Sequence, residues 1–157
     1  MSGALVVQNR QRDFTVRLPL FRQILRCLLL DLLACPRFEL GVYLLEAAEM
    51  AQLNQSFLGH DGPTDVITFD YAAPGSGAPA GEIMLCPTVA WEQARRFRTI
   101  WQSELVRYAV HGILHLRGFD DRTAAARRVM KREENRWLRA LAARFSFRKL
   151  GRRRLRL

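Results

Sequence analysis

The sequence predicts a single domain of the α+β (mixed α/β) class. Three observations carry this. The chain has 157 residues, and an ordinary domain runs to about 100–200. Hydrophobic residues make up 49% of it and aromatics 10%, enough to bury a core, which excludes a disordered chain. Segments in which apolar residues alternate are interleaved with segments in which they recur every three or four positions, so strands and helices are mixed in order.

The elements follow in turn. Residues 4–9 (Ala-Leu-Val-Val-Gln-Asn) read as a strand. From Leu18 to Leu33 the spacing of Leu18, Phe21, Leu25, Leu28, Leu29 and Leu32 predicts an amphipathic helix, stopped by Cys35-Pro36. A second strand runs from Phe38 to Leu45, with Phe38, Leu40, Val42 and Leu44 on one face. Glu46–Phe57 reads as a short helix, Gly59–Pro63 as a turn, and Thr64–Tyr71 as a third strand rich in β-branched and aromatic residues. The Pro- and Gly-rich stretch Ala72–Ala80 is a loop, and Glu82–Cys86 is a fourth strand. Helices are expected over Thr88–Phe97, Trp101–Leu116 and Thr123–Phe145. Gly118 falls where a helix-terminating glycine belongs. The domain is thus expected over 1–145, with 146–157 a basic, poorly ordered C-terminal tail.

Charge is unevenly placed. The chain carries 25 Lys and Arg against 15 Asp and Glu, a formal +10. Residues 1–121 hold 11 basic and 13 acidic side chains, a net of −2, whereas residues 122–157 hold 14 and 2, a net of +12. Such an end suits a polyanion, nucleic acid or an anionic membrane surface; a solvated helix face and tail would show the same counts. No run of 18 apolar residues occurs, so no transmembrane helix is expected, and the start of the chain does not read as a secretory signal. Cys27, Cys35 and Cys86 form no CxxC pair and read as buried thiols of a reducing cytoplasm. Trp91, Trp101 and Trp137 read as core residues before base-stacking platforms.

His111 and His115 stand four apart on the Trp101–Leu116 helix, which puts both rings on one face about a turn apart. Taken alone the pair divides evenly between structural hydrogen bonding and metal ligation. Gly118 then lets the chain turn back, and Asp120 and Asp121 follow within reach. A third, oxygen ligand would complete the three-plus-open-position pattern of catalytic zinc. A zinc peptidase would place Glu directly after the first His; here that position is Gly112, and Ile113 and Leu114 complete the interval. No Gly-x-Ser-x-Gly, P-loop or dinucleotide fingerprint occurs.

The stretch His111-Gly-Ile-Leu-His115-Leu-Arg-Gly118-Phe119-Asp120-Asp121 resembles the His-Gly-x-Leu-His-Leu-x-Gly-Tyr-Asp-His signature of the YbeY family, bacterial rRNA maturation factors described as metal-dependent endoribonucleases. Leu53-Asn54, Gly59, the run Pro63-Thr-Asp-Val-Ile-Thr-Phe69, Gly81-Glu82-Ile83 and the pair Met130 and Glu134 match further blocks of that family in order, as does Asn9-Arg10-Gln11 near the start. The resemblance implies a central sheet of about four strands flanked by about five helices, with a metal in a cleft. It implies one divalent ion, Zn2+ by preference, on His111, His115 and Asp121, acting catalytically through an activated water. It further implies single-strand-specific cleavage of RNA in 16S rRNA 3′-end maturation and ribosome quality control. The partners would then be rRNA and the small ribosomal subunit, with ribosomal proteins or a GTPase beside them, and no membrane.

Two departures from the pattern matter. Asp121 stands where the family usually has His, a harder ligand that shifts preference slightly toward other divalent ions. Leu58 stands where it commonly has Arg, and cannot hold a phosphate. These departures keep a second expectation open, a non-catalytic RNA- or ribosome-binding factor with a structural metal. Candidate RNA contacts are Arg95, Arg96 and Arg98 on one helix and Arg127, Arg128, Lys131 and Arg132 on another, with the basic tail.

Overall fold

In the computed structural model, which describes residues 3–154, a four-stranded sheet forms the centre. Its strands are β1 (Ala4–Arg10), β3 (Glu39–Leu45), β5 (Ala80–Leu85) and β4 (Val66–Asp70), in the spatial order β1-β3-β5-β4. The first three run parallel and β4 pairs antiparallel with β5. The register aligns Val7, Val42, Ile83 and Thr68 across all four strands. Side chains alternate as the pleat requires: Leu5, Val7, Leu40, Val42, Leu44, Ile83 and Leu85 join the main core, whereas Leu45, Ile67 and Met84 face a smaller cluster with Met50, Cys86 and Val89.

Five helices flank the sheet: α1 (Leu18–Arg26), α2 (Ala47–Leu53), α3 (Pro87–Phe97), α4 (Trp101–Leu116) and α5 (Ala124–Ala142). Predicted and observed bounds coincide for α4, and for α3 differ by one residue. The helix expected over Leu18–Leu33 changes character midway. From Cys27 to Leu32 it is π-helical, and Leu33 N–H reaches back five residues to Leu28 O at 2.8 Å. The second helix does the same over Asn54–Leu58. Cys27, Cys35 and Cys86 are buried and unpaired, as expected. Among the described residues no helix is long and apolar enough to cross a membrane.

α4 lies directly on the sheet, and Gly112 makes this possible: a Cβ there would stand 2.8 Å from Ile83 Cγ2 on β5. The helix is buried along most of its length. This close seat fixes the height at which His111 and His115, on either side of Gly112, emerge.

The C-terminal segment corrects the expectation of a poorly ordered tail. Phe147–Leu150 forms a 3₁₀ turn that buries Phe147 and Leu150 in the main core, and β6 (Gly151–Arg153) pairs antiparallel with β2 (Phe14–Val16). Two apolar side chains three residues apart in a basic run, Phe147 and Leu150, are enough to dock it. Residues 155–157 of that tail lie outside the described residues.

Candidate active site

The cleft is built where α4, α5, the C-terminal end of α3 and the start of β4 meet. α4 contributes Glu104, Arg107, Tyr108 and His111 at helical spacing, and α5 contributes Arg127, Met130, Lys131 and Glu134. Asp65, Val66, Gln93, Phe97 and Asp121 complete a cavity of ≈ 350 Å³. α5 is started by Thr123, whose side chain accepts from Ala126 N–H at 3.0 Å. That cap fixes where α5 begins, about three turns before Glu134.

Glu134 is the centre of the arrangement. It is buried, and its Oε2 lies 2.6 Å from His111 Nδ1. Arg107 Nη1 donates to Glu134 Oε1 at 3.3 Å and to Asn135 Oδ1 at 2.9 Å. A carboxylate can only accept, so the Nδ1 proton of His111 is fixed toward it and the Nε2 lone pair faces away. The bond to Glu134 raises the His111 pKa; burial opposes this, and the charges of Glu134, Asp121 and Asp65 add to it. Burial pushes Glu134 up, but its bonds to His111 and Arg107 and their charges hold it below the usual carboxylate value.

His115 is fixed in the same way by backbone. Gly118 has φ 104, a conformation that L side chains rarely adopt. The turn it makes returns the Phe119 carbonyl to 3.1 Å from His115 Nδ1. The same turn carries two aspartates with different employment. Asp120 Oδ1 accepts from Arg122 N–H at 3.2 Å, whereas Asp121 Oδ2 stands 3.8 Å from His111 Nε2. Asp121 is therefore the aspartate on the His111 side.

Among the described residues no three His, Cys, Asp or Glu side chains converge as a finished metal cage. His111 and Asp121 are together in the cleft; His115, one turn along, does not line it. The donor chemistry nonetheless suits a divalent ion. Both imidazoles have Nδ1 engaged by an acceptor, the arrangement that orients metal-ligating histidines. This leaves two Nε2 atoms and one exposed carboxylate as the donors.

The other expected residues separate. Arg127 and Lys131 line the cleft. Arg95 lines a different groove. Arg96 sits over the Phe97 ring at 5.5 Å, and Arg98 terminates α3 at φ 56. Arg128 and Arg132 are exposed on α5 and do not line the cleft. Leu58 is exposed at the end of its π-helical turn, also outside the cleft lining. Sequence reading did not place Arg107 or Glu134 in the site. The available signal was positional: Arg107 is one turn before His111, and Glu134 is one of only two acidic residues in the basic region from 122 onward.

An α+β domain that sets an oriented helical histidine and a carboxylate in a cleft with cationic walls, with a second oriented histidine one helical turn away, belongs to the class of proteins equipped for hydrolytic chemistry on an anionic substrate. The family model described as Endoribonuclease YbeY matches residues 6–142, and the chain belongs to the YbeY family. An Endoribonuclease YbeY from Elusimicrobium minutum is 40% identical over 106 residues, 66% of this chain and 74% of that one. That of Chlorobium luteolum is 41% identical over 90 residues, 57% of this chain and 64% of the relative. That of Thermotoga maritima is 42% identical over 82 residues, about half of each chain (52% and 53%). The solution structure of a Thermotoga maritima protein superposes with a TM-score of 0.66 at 26% identity, covering 90% of this chain and 91% of that one.

Proposed function

We propose that this protein is a metal-dependent endoribonuclease specific for single-stranded RNA, acting in the cytoplasm on the small ribosomal subunit in 16S rRNA 3′-end maturation and ribosome quality control. The observation that carries the reading is the Glu134–His111 bond of 2.6 Å in a cleft that also holds Asp121, Arg127 and Lys131, in a chain whose named relatives are endoribonucleases.

His111, His115 and Asp121 would hold the ion, zinc by the preference of two nitrogens and one oxygen. When bound, the ion supplies Lewis-acid polarisation of the phosphoryl group and activation of water. The chain's own residues do the rest. Glu134 keeps the Nδ1 proton of His111 in place, so Nε2 presents its lone pair. Arg107 keeps Glu134 ionised and aimed. The Phe119 carbonyl does for His115 what Glu134 does for His111. Arg127 and Lys131, exposed on the α5 wall, are positioned to hold the RNA backbone and offset charge that develops on the phosphate. A flexible single strand can place its phosphate against them more readily than a rigid duplex.

A second reading, a non-catalytic RNA- or ribosome-binding factor with a structural metal, draws on Leu58 lying outside the cleft and on the unconverged donors. Bound zinc and cleavage of an unstructured RNA are measured together in wild type, His115→Ala, Asp121→Ala and Asp120→Ala. Wild type and Asp120→Ala should bind one ion and cleave, while the other two lose both. Metal and RNA retention by wild type with no cleavage would favour the second reading.

A further inference from the structure

A second groove, distinct from the cleft, lies between α3 and the docked C-terminal strand. With ≈ 590 Å³ it is larger than the cleft, and it is lined by Asp13, Phe14, Thr88, Trp91, Glu92, Arg95, Arg153 and Arg154. We propose that this groove holds the phosphodiester backbone of RNA away from the point of cleavage, an inference that rests on the RNA-cleaving reading above.

Four observations carry it. Arginines from far apart in the chain, Arg95 on α3 and Arg153 and Arg154 after the last core residue, converge on one groove. Among the described residues none of the three is in an ion pair, although Asp13 and Glu92 share the lining. The segment that brings Arg153 and Arg154 is uniformly cationic: residues 144–154 contain 6 basic side chains and no acidic one. The segment is also held firmly. Arg17 N–H donates to Leu150 O at 2.7 Å, Gln102 Nε2 to Gly151 O at 2.9 Å, and Arg154 N–H to Asp13 O at 2.7 Å. The guanidinium of Arg153 lies over the Trp91 ring, 4.7 Å from its centre, and a guanidinium on an aromatic face keeps edge N–H donors suited to bidentate phosphate contact. An acidic peptide would also answer to positive charge. RNA is favoured because planar guanidinium groups, one of them over an aromatic ring, fit phosphate oxygens and base faces together, and because α3 lines both places: Arg95 lines the groove while Gln93 and Phe97 line the cleft. One strand can therefore engage the groove and reach His111 around the end of a single helix.

The test is RNA affinity without turnover, read by filter binding of a 30-nucleotide unstructured RNA to the full chain under chelation across a salt series. Arg153→Gln/Arg154→Gln is compared with wild type and with Arg153→Lys/Arg154→Lys, each checked by circular dichroism and melting. Losing two phosphate contacts should lower the salt slope by about 1.4, which corresponds to roughly 25-fold weaker binding at 0.1 M salt relative to a 1 M reference. The Lys pair should keep most of the slope. An unchanged affinity and slope in a folded Gln pair overturns the groove while leaving the cleavage reading intact. A Gln pair that keeps RNA affinity but loses polyglutamate binding assigns the groove to an acidic protein and likewise overturns it. Failure of wild type to bind or cleave RNA removes both the groove proposal and the cleavage reading.

Discussion

Replacing Glu134 probes the cleft at its most constrained point. Its carboxylate is buried, with the residue 7% exposed, and meets His111 Nδ1 at 2.6 Å and Arg107 Nη1 at 3.3 Å. Glu134→Ala leaves the His111 N–H without its acceptor, whereas Arg107 retains Asn135 at 2.9 Å. Hydrogen bonds to charged groups contribute about 1.5–3 kcal/mol, and a buried donor left unsatisfied costs about 1–3 kcal/mol. The first bond is short and shielded; the second is long and shared. The variant should therefore lose about 2–4 kcal/mol of unfolding free energy in the metal-free state. Glu134→Gln keeps an acceptor oxygen but not the charge, and should lose about half as much. Zinc affinity should fall about 10–100-fold in the Ala variant, the usual consequence of removing the partner of a ligating histidine. Urea unfolding of metal-free protein and zinc titration calorimetry measure the two effects. A stability change under about 0.5 kcal/mol, within the range of an ordinary surface substitution, together with unaltered zinc affinity, would refute the role given to Glu134.

Three further outcomes are expected. Gly112→Ala should cost about 1–3 kcal/mol by overpacking α4 against Ile83, seen as a lowered urea midpoint; an unchanged midpoint would mean that the helix lifts freely off the sheet. Deleting residues 146–157 removes the buried Phe147 and Leu150, each worth about 2–5 kcal/mol in truncation to Ala, so the melting temperature should fall sharply; a truncated chain that melts like wild type would show that the 3₁₀ turn and β6 contribute nothing. The Glu134–His111 pair should also give the metal-free protein a two-sided pH dependence. Glu134 is held below 4.5, so the unfolded chain binds the proton more readily, and the stability present above that value is lost as pH falls through the lowered one. His111 is held above 6.5, so its contribution is complete below 6.5 and is lost as pH rises through the raised value. Urea midpoints from pH 3 to 9 should show both limbs in wild type, and Glu134→Gln should flatten them; parallel curves would contradict this.

Much of this was legible in the chain because its elements are strongly periodic. α3 and α4 appear within a residue of their predicted bounds, and the four sheet strands each fall inside their predicted segments apart from one or two end residues. The π-helical turns were not legible, since Cys27, Leu28 and Leu29 in succession fit any buried helical turn. β2 and β6 are three residues each, too short for a period, and β6 sits in a run of arginines whose charge masks the two apolar anchors before it. Local spacing put His111 and His115 on one helix face with Asp120 and Asp121 close by, and the resemblance chose Asp121; the structure brings His111 and Asp121 into one cleft and leaves His115 outside its lining. Arg107 and Glu134 were not legible, because their roles depend on how α5 crosses α4, a packing angle that no local pattern encodes. For the same reason seven cationic side chains with equal standing in sequence divide in space: Arg127 and Lys131 enter the cleft, Arg95 faces another groove, and Arg96, Arg98, Arg128 and Arg132 line neither.

The most direct test of the account is the rate at which purified protein cleaves one unstructured RNA, followed through chelation and then zinc restoration, for wild type beside His111→Ala. The account predicts cleavage by wild type that chelation abolishes and zinc restores, with none from His111→Ala under any condition. Cleavage that persists through chelation, or an equal rate from His111→Ala, would contradict it.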